Sequence, residues 1–295
     1  MAGTGTNFEC VHGLSVDVED WFQVWAYSNQ IPRTGWDRYP LRVADSTARL
    51  LDLFAAKNVT ATFFILGWVA ERCPQTVKRI VDEGHEIASH GYDHAKVFDL
   101  DERAFREDVL KAKSILEATS GQLVKGYRAP GFSIDHRTPF AYEVLAETGH
   151  IYSSSSHPIA HDHYGDPTAP LLPHKTMAGI VEMPVGVVPM FGRRISCAGG
   201  GWFRAMPYRL SRHLWQRLEG AGRQGVFYLH PWEVDPNQPK VPGAPLKARL
   251  RHRLNLQTME KKLADLLTDF RWARMDEVLA DEISDIPASP PGATV

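Results

Sequence analysis

Two hydrophobic patterns alternate along the first 150 residues of the chain. Continuous runs of β-branched and aromatic residues, such as residues 60–66, are typical of strands buried on both faces of a sheet. Between these runs, apolar residues recur at helical spacing, as in residues 43–57, where Asp45 and Ser46 are the expected N-caps. Strands and helices alternating at this spacing predict βαβ units and a parallel sheet, which we expect to close into a barrel.

The same signals locate the remaining elements. Strands are predicted at residues 11–18, 60–66, 85–89, 125–128, 181–185, 225–229 and 271–274. Helices are predicted at residues 43–57, 74–83, 101–119, 138–148, 207–220 and 256–270. Residues 153–201 are rich in Pro, His and Gly and are expected to be mostly loop. We therefore predict one α/β domain, with a barrel at residues 1–235, a helical extension of it at 236–286 and a disordered tail at 287–295.

Composition and charge narrow the classes of function. A net charge of −2 provides no positive field for a polyanion, so nucleic acid is not an expected partner. The sequence has no apolar run near the roughly 18 residues that span a bilayer, and no secretion signal is visible at its start. The three scattered cysteines fit neither a disulfide framework nor a cysteine-ligated zinc site. We therefore expect a cytoplasmic protein, and the sequence leaves its oligomeric state open.

Two histidines and a group of acids offer the strongest candidate chemistry. His90 and His94, at positions i and i+4 after a predicted strand, can bind one cation from one face of a turn. The first strand ends in Asp17, Glu19 and Asp20. Positions i and i+2 of a strand share a face, so Asp17 and Glu19 point together, and Asp20 joins them only if the strand ends early. Two imidazoles and a carboxylate are the ligands of an open zinc site, whereas an exposed acidic turn is the plainer interpretation.

Arg128 and His230 end two further predicted strands. Arg128 precedes Pro130 closely and could hold a carboxylate through two hydrogen bonds, in a catalytic or a purely structural ion pair. His230 closes an apolar strand, where a histidine is more often structural than a proton donor. Active sites of α/β barrels lie at the carboxyl ends of the strands, which is where all these candidates fall.

Other motifs are weaker candidates. A rival metal site would use histidines of the loop-rich region, namely His157, His161, His163 and His174. The glycines at 199–201 lack the context of a phosphate loop and are expected to let the backbone pass close to another group. Aromatic rings that could stack on a sugar or pack in the core are Trp21, Trp25, Trp202 and Trp232.

The order of these motifs resembles that of the NodB-type polysaccharide deacetylases, carbohydrate esterase family four. The shared blocks are an acid-rich first strand, His-x-x-x-His, Arg-x-Pro and a late Leu-His. The segments SVDVEDW at 15–21 and FYLHPWE at 227–233, with residues 161–165 and 197–203, look like the bacterial subgroup found beside exosortase and exopolysaccharide loci. The resemblance covers about residues 11–281. It implies a distorted (β/α) barrel with fewer than eight units and a C-terminal extension packed on it.

The resemblance also implies a reaction and roles. The reaction is metal-dependent removal of N-acetyl groups from hexosamine residues of an oligo- or polysaccharide, in association with membrane polysaccharide-assembly machinery. Asp17 matches the general base, Arg128 the residue that orients it, and His230 the general acid. Gly131 matches a backbone donor to the oxyanion, and Leu229 matches a residue lining the acetate pocket. With Trp232 beside them, these residues would bind and hydrolyse the saccharide.

The metal ligands implied by the resemblance depart from the usual family pattern at one position. His90 and His94 match the metal-binding histidines, but the usual carboxylate position is occupied by Val18. A variant spacing assigns the ligand to Glu19, with Asp20 as the alternative. This donor set suits Zn²⁺ and also admits Co²⁺, Ni²⁺ or Fe²⁺.

A second departure concerns the acid that usually pairs with the catalytic histidine. Ser153 occupies that position, so we expect either a lower pKa of His230 or a substitute among Asp162, Glu182 and Asp235. The alternatives to a polysaccharide deacetylase are an allantoinase-like amidohydrolase of the same superfamily and a non-catalytic saccharide-binding protein.

Overall fold

The computed structural model describes residues 10–161 and 165–284. The tail predicted at 287–295 lies outside the described residues, as do Asp162 and His163 of the loop-rich region. The strands are β1 (Val11–Val18), β2 (Thr62–Ile65), β3 (Glu86–Ser89), β4 (Gly126–Tyr127), β5 (Tyr152–Ser153), β6 (His174–Lys175), β7 (Val181–Glu182), β8 (Val187–Met190), β9 (Arg193–Ser196), β10 (Val226–Leu229) and β11 (Arg271–Ala273). The helices are α1 (Val43–Lys57), α2 (Gly67–Arg72), α3 (Pro74–Asp82), α4 (Glu102–Ser120), α5 (Ala141–Glu147), α6 (Gly200–Ala205), α7 (Tyr208–Gly220), α8 (Leu246–Arg253), α9 (Leu256–Asp269), α10 (Met275–Val278) and α11 (Ala280–Ser284).

The main sheet follows the order β10-β1-β2-β3-β4-β5-β7-β6, and β11 also pairs with β1. Its pairs are parallel except for β6 with β7, which are antiparallel. The predicted distorted (β/α) barrel is confirmed as a curled sheet with helices packed against it, a half-barrel. Strands β8 and β9 form a separate antiparallel hairpin.

Parallel pairing decides where the candidate residues meet. The central strands β1, β2, β3 and β10 are buried almost throughout, which explains their near-continuous apolar sequences. Because neighbouring parallel strands end on the same edge, the segments that follow β1, β3, β4 and β10 lie together. Among the described residues, no helix is both long enough and apolar enough to cross a membrane.

The loop-rich region and the C-terminal segment hold more regular structure than the sequence indicates. Residues 153–201 contain the β8–β9 hairpin and the start of α6, both of which lack a clear hydrophobic period. In the segment predicted as a helical extension, α8 and α9 are helical, but β11 returns to the main sheet and pairs with β1, as the predicted strand at 271–274 requires. The C-terminal segment is therefore part of the sheet as well as packed on it.

The start of α1 differs from the predicted cap. Its N-cap residue is Arg42, and no side chain of that residue caps the helix, while Asp45 and Ser46 lie inside the first turn. The backbone N–H groups of Arg42 and Val43 instead donate to Oδ2 of Asp20, at 2.7 and 2.9 Å. A cap supplied from 22 residues upstream cannot be recognised from local sequence, which is why the prediction was wrong.

Candidate active site

A cleft of about 490 Å³ opens at the carboxyl edge of the sheet. The predicted site residues that line it are Asp17, Glu19, His90, His94, Gly131, His230 and Trp232. Arg128 lies beneath Asp17 with no exposed surface, and Leu229 belongs to the hydrophobic core. On β10 it is Tyr228, the neighbour of Leu229, that lines the cleft. The structure thus brings the candidate residues of four strand ends together.

Asp17 is held by a buried arginine. Nη1 of Arg128 donates to Oδ1 of Asp17 at 2.7 Å and to the hydroxyl of Ser15 at 2.8 Å. The other guanidinium nitrogens donate to the carbonyl and the hydroxyl of Ser154, each at 2.9 Å. The guanidinium also lies 4.1 Å from the ring centre of Phe64. Arg128 therefore gives Asp17 one hydrogen bond and not the two that the sequence suggested, because Nε and Nη2 are used to fix the guanidinium on Ser154.

Glu19 lies between two histidines. Its Oε1 is 3.0 Å from Nε2 of His230, and its Oε2 is 3.0 Å from Nε2 of His94. The second contact lacks hydrogen-bond geometry, and Oε2 is buried without a hydrogen-bond partner among the described residues. Burial raises the pKa of Glu19, but the nearby charges of His94 and His230 outweigh burial and lower it to about 2. Glu19 is therefore a carboxylate at neutral pH, with one oxygen whose bonding is incomplete.

His90 is oriented as a metal ligand requires. Its Nδ1 lies 2.8 Å from the carbonyl oxygen of Arg128 and can only donate there, so Nε2 carries the lone pair. Burial lowers the pKa of His90 to about 4, which keeps the imidazole neutral. The ring centre of His94 is 5.4 Å away, and His94 has a left-handed backbone with φ of 62°. Such a conformation is unusual for a residue with a side chain and often marks a functional position.

The donor set fits a divalent metal ion. In the described part of the chain, no group of three or more His, Cys, Asp or Glu side chains is already in coordinating geometry. Glu19, His90 and His94 nevertheless supply an ionised carboxylate with an unbonded oxygen, a neutral imidazole of defined tautomer, and a second imidazole beside both. These are the ligand types of an open zinc site. Of the rival histidines, His157 contacts the hydroxyl of Ser196 at 3.0 Å and His174 contacts the carbonyl oxygen of Leu172 at 3.1 Å, whereas His161 lines the cleft and His163 lies outside the described residues.

Asp20, the alternative metal carboxylate, is engaged in the fold. Its Oδ1 accepts from the N–H of Trp21, and its Oδ2 accepts from the two N–H groups at the start of α1. Both carboxylate oxygens are therefore occupied by backbone donors, whereas Glu19 has an oxygen to offer. This difference favours Glu19 as the ligand.

We expect Asp20→Ala to lower the free energy of unfolding by about 1–3 kcal/mol, because it leaves buried N–H groups without an acceptor. The matched control is Asp45→Ala, which removes an exposed acid of the same helix and should cost less than about 1 kcal/mol. Chemical denaturation measures both, and elemental metal content is measured on the same samples. Loss of bound metal from a stable Asp20→Ala protein would show that Asp20 is the ligand.

His230 has a carboxylate partner that the sequence reasoning missed. Its Nδ1 lies 3.3 Å from Oε2 of Glu233, which also accepts from the backbone N–H of His230 at 3.0 Å. Oε1 of Glu233 accepts from Nε of the buried Arg204 at 2.9 Å. Burial raises the pKa of Glu233, but Arg204 and His230 bring it down to about 2. The partner is thus a fixed carboxylate, and the only signal for it was the Glu three residues after the histidine in HPWE.

The expected lower pKa of His230 is wrong, and Glu182 and Asp235 do not replace the missing acid, whereas Asp162 lies outside the described residues. Burial lowers the pKa of His230, but Glu19 and Glu233 outweigh burial and raise it to about 10. Ser153 donates to the hydroxyl of Ser155, and Glu182 accepts from the backbone N–H of Ser155 at 2.8 Å. Asp235, the third expected substitute, forms an ion pair with Arg42, the residue that precedes α1. Glu233 takes the role because a short 3-10 helix after β10, Pro231–Val234, turns its side chain back onto His230.

The glycine run makes room for this carboxylate. A Cβ on Gly200 would overlap the carboxyl group of Glu233, and one on Gly199 would lie 2.7 Å from the hydroxyl of Tyr228. The prediction that these glycines let the backbone pass close to another group is confirmed. Gly200 begins α6, so the position of Glu233 depends on this helix start.

We expect Gly200→Ala to lower kcat by about 10²-fold, because the added methyl displaces Glu233 and with it His230. The matched control is Gly220→Ala at the end of α7, where an added Cβ meets nothing within 4 Å. Steady-state acetate release and circular dichroism on both variants make the comparison. Equal activity of the two variants would show that the Glu233 position does not matter.

Aromatic rings surround the acid histidine and the mouth of the cleft. Trp232 stacks between His230 and His252, with ring centres 5.1 and 4.1 Å away. Trp25 and Trp202 line the cleft and are each 42% exposed. Flat exposed rings at a cleft mouth suit the apolar face of a sugar.

Two parts of the chain match known protein families. Residues 34–151 match the family model described as polysaccharide deacetylase, and residues 154–280 match a domain of unknown function (DUF3473). Over 98 residues the chain is 38% identical to a peptidoglycan-N-acetylglucosamine deacetylase of Bacillus cereus, covering 33% of this chain and 36% of that protein. It is 36% identical over 85 residues to a chitooligosaccharide deacetylase of Sinorhizobium fredii, covering 28% and 40%. The chain thus aligns with well under half the length of these curated relatives.

A solved structure supports the fold over the full chain. A putative polysaccharide deacetylase from Mycobacterium smegmatis superposes with a TM-score of 0.63 at 22% identity, covering 100% of this chain and 96% of that one. At this identity the likeness shows the fold alone. Residues 34–151 are thus similar to polysaccharide deacetylases and residues 154–280 to DUF3473, within a fold that the full chain shares with the Mycobacterium smegmatis protein.

Proposed function

We propose that this protein is a metal-dependent de-N-acetylase that hydrolyses the N-acetyl groups of hexosamine residues in a bacterial exopolysaccharide. The observation that carries the proposal is one cleft that holds Asp17 fixed by Arg128, and His230 backed by Glu233, around the donor set of Glu19 and its histidines. A fixed carboxylate and a fixed imidazolium are the base and the acid that amide hydrolysis requires.

Glu19, His90 and His94 would hold the metal ion, for which Zn²⁺ is the first candidate and Co²⁺, Ni²⁺ and Fe²⁺ are alternatives. A divalent ion bound there would polarise the acetyl carbonyl and lower the pKa of the attacking water. The neutral His90 and the ionised Glu19 are in the protonation states that such ligands need.

The residues of the chain account for the proton transfers. Asp17 removes a proton from water as the water adds to the acetyl carbonyl carbon, and Arg128 keeps that carboxylate in position. The N–H of Gly131 would donate to the oxyanion; loss of such a donor costs about 3–4 kcal/mol in other hydrolases. His230 then gives its Nε2 proton to the leaving nitrogen as the carbon–nitrogen bond breaks. The products are acetate and a free amine on the sugar.

The substrate class follows from the relatives and the cleft. Proteins that match this chain are described as deacetylases of peptidoglycan and chitooligosaccharide, both of which contain N-acetylated hexosamine. The exposed Trp202, and the face of Trp25 opposite Lys96, whose Nζ lies 3.9 Å from the Trp25 ring centre, provide flat surfaces for such a chain. The assignment to an exopolysaccharide comes from the subgroup resemblance of residues 15–21 and 227–233.

A substrate screen tests the proposal. Purified protein is stripped with a chelator, reloaded with each candidate metal, and incubated with N-acetylated oligosaccharides, acetylated exopolysaccharide and cyclic amides such as allantoin. We expect acetate from the saccharides, and none from an Asp17→Asn variant. Turnover of the cyclic amide alone would indicate the allantoinase-like alternative. Stoichiometric metal without turnover of any acetylated saccharide would indicate a non-catalytic saccharide-binding protein.

A further inference from the structure

A strongly basic segment borders the cleft. Residues 236–259 contain no aspartate or glutamate but carry five lysines and arginines, in a chain whose net charge is −2. Four of these lie on α8, namely Lys247, Arg249, Arg251 and Arg253. The local positive charge is thus opposite in sign to that of the whole chain, and it attracts an anionic surface.

The same helix exposes leucines. Leu246 and Leu250 are 67% and 61% exposed, and Leu254, directly after the last residue of α8, is 43% exposed. Positions i, i+4 and i+8 of a helix lie on one face, so the three side chains form a single apolar stripe. A contiguous apolar stripe rimmed by polar residues marks an interaction surface.

The charges flank this stripe on both sides. At 3.6 residues per turn, Lys247 and Arg251 lie along one side of the leucines, and Arg249 and Arg253 lie along the other. The opposite face of α8 carries His252, which is buried and stacked on Trp232. Lys and Arg beside an apolar stripe can keep their aliphatic stems on apolar surface while their charged ends reach anionic headgroups.

Helix α8 is also joined to the cleft. Leu254 and Arg251 line the cleft, as do the exposed Trp25 and Trp202. Arg204, which holds Glu233, donates through Nη1 to the carbonyl of Leu254 at 2.5 Å. Leu254 therefore belongs to both the apolar stripe and the cleft wall, and tryptophan is a residue preferred at membrane interfaces.

From this arrangement we propose that α8 docks the protein on an anionic lipid surface, with its leucines toward the acyl chains and its basic residues toward the headgroups. A second copy that docks through its own α8 is a poorer occupant, because it would bring the basic residues of the two helices together. The docking would present the cleft to a saccharide carried at that surface, and only this last consequence depends on the proposed deacetylase activity.

Vesicle co-sedimentation of the full chain tests the docking. The probes are vesicles of phosphatidylcholine alone and of phosphatidylcholine mixed equally with phosphatidylglycerol. We expect binding to the mixed vesicles that weakens with salt, and little binding to the neutral ones. Lys247→Gln with Arg249→Gln should weaken binding about 30-fold, at about fivefold per charge, and Leu246→Gln with Leu250→Gln at least about tenfold.

The control is the double variant Lys78→Gln with Leu123→Gln. It replaces an exposed basic residue of α3 and an exposed leucine in the segment after α4. This control should bind as the wild type does. None of the four substituted α8 residues lines the cleft, so acetate release from a short soluble oligosaccharide should not change. Three results would each overturn the proposal. They are wild-type protein that does not bind anionic vesicles, α8 variants that bind them as the wild type does, and self-association that the leucine substitutions abolish.

Discussion

His94→Ala is expected to lower acetate release by more than about 100-fold and to leave the purified protein without stoichiometric metal. Nε2 of His94 is 3.0 Å from the Glu19 oxygen that has no hydrogen-bond partner among the described residues. Removing the imidazole takes away one of the three proposed donors at that point. Residues that merely orient metal ligands already contribute 10–100-fold, so loss of a ligand should cost more.

His136→Ala is the matched control for this experiment. The His136 side chain is 90% exposed, and its ion-pair partner is not one of the proposed metal ligands. It should retain full metal content and activity. Elemental analysis gives the metal content independently of turnover, and calorimetry reports whether each variant is folded. A folded His94→Ala protein that keeps both metal and activity would contradict the proposed site.

Glu233→Gln is expected to lower kcat by about 10²-fold and to shift the alkaline limb of the pH profile to lower pH. Glu233 contributes to the raised pKa of His230, which is about 10 after burial has acted in the opposite direction. A general acid works only while protonated, so the rate falls as pH rises through its pKa. Without the Glu233 charge that pKa is lower, and the fall begins at lower pH. The decrease in kcat is at the lower end of what general acid–base catalysis contributes.

The same substitution also leaves Arg204 buried without its counter-charge, which should cost about 3–5 kcal/mol of stability. Asp235→Asn separates the two effects. Asp235, just after the same 3-10 helix, forms an ion pair with the partly exposed Arg42 and makes no contact with His230 among the described residues. This variant should be destabilised while its pH profile keeps the wild-type limb. A pH profile of Glu233→Gln that matches the wild type would remove Glu233 from the mechanism.

Most of the fold could be predicted from hydrophobic patterning. The strands at the centre of the sheet are buried on both faces, so their apolar runs are continuous and easily recognised. The short elements were missed for a physical reason. Helix α8, with the sequence LKARLRHR, buries only His252, so it shows no apolar face toward a core. The exposed leucines of α8 can be interpreted as an interaction surface only once the structure shows that the helix borders the cleft.

The candidate site shows where sequence reasoning reached its limit. The positions of Asp17, Glu19, His90 and His94 followed from strand ends and side-chain spacing, which are local properties. The choice between Glu19 and its neighbour Asp20 did not, because it depends on which carboxylate meets the distant start of α1.

The sequence was sufficient for the residue types, the strand ends and the order of motifs, since these depend on neighbours along the chain. The pairing of His230 with Glu233, the support from Arg204 and the space left by Gly200 required the folded structure. The contacts of Arg204 and Gly200 with Glu233 join residues about thirty positions apart, and the contact of His230 with Glu233 depends on a short 3-10 helix. The distances between such segments are set by packing in the folded protein. They cannot be read from the spacing of residues along the chain.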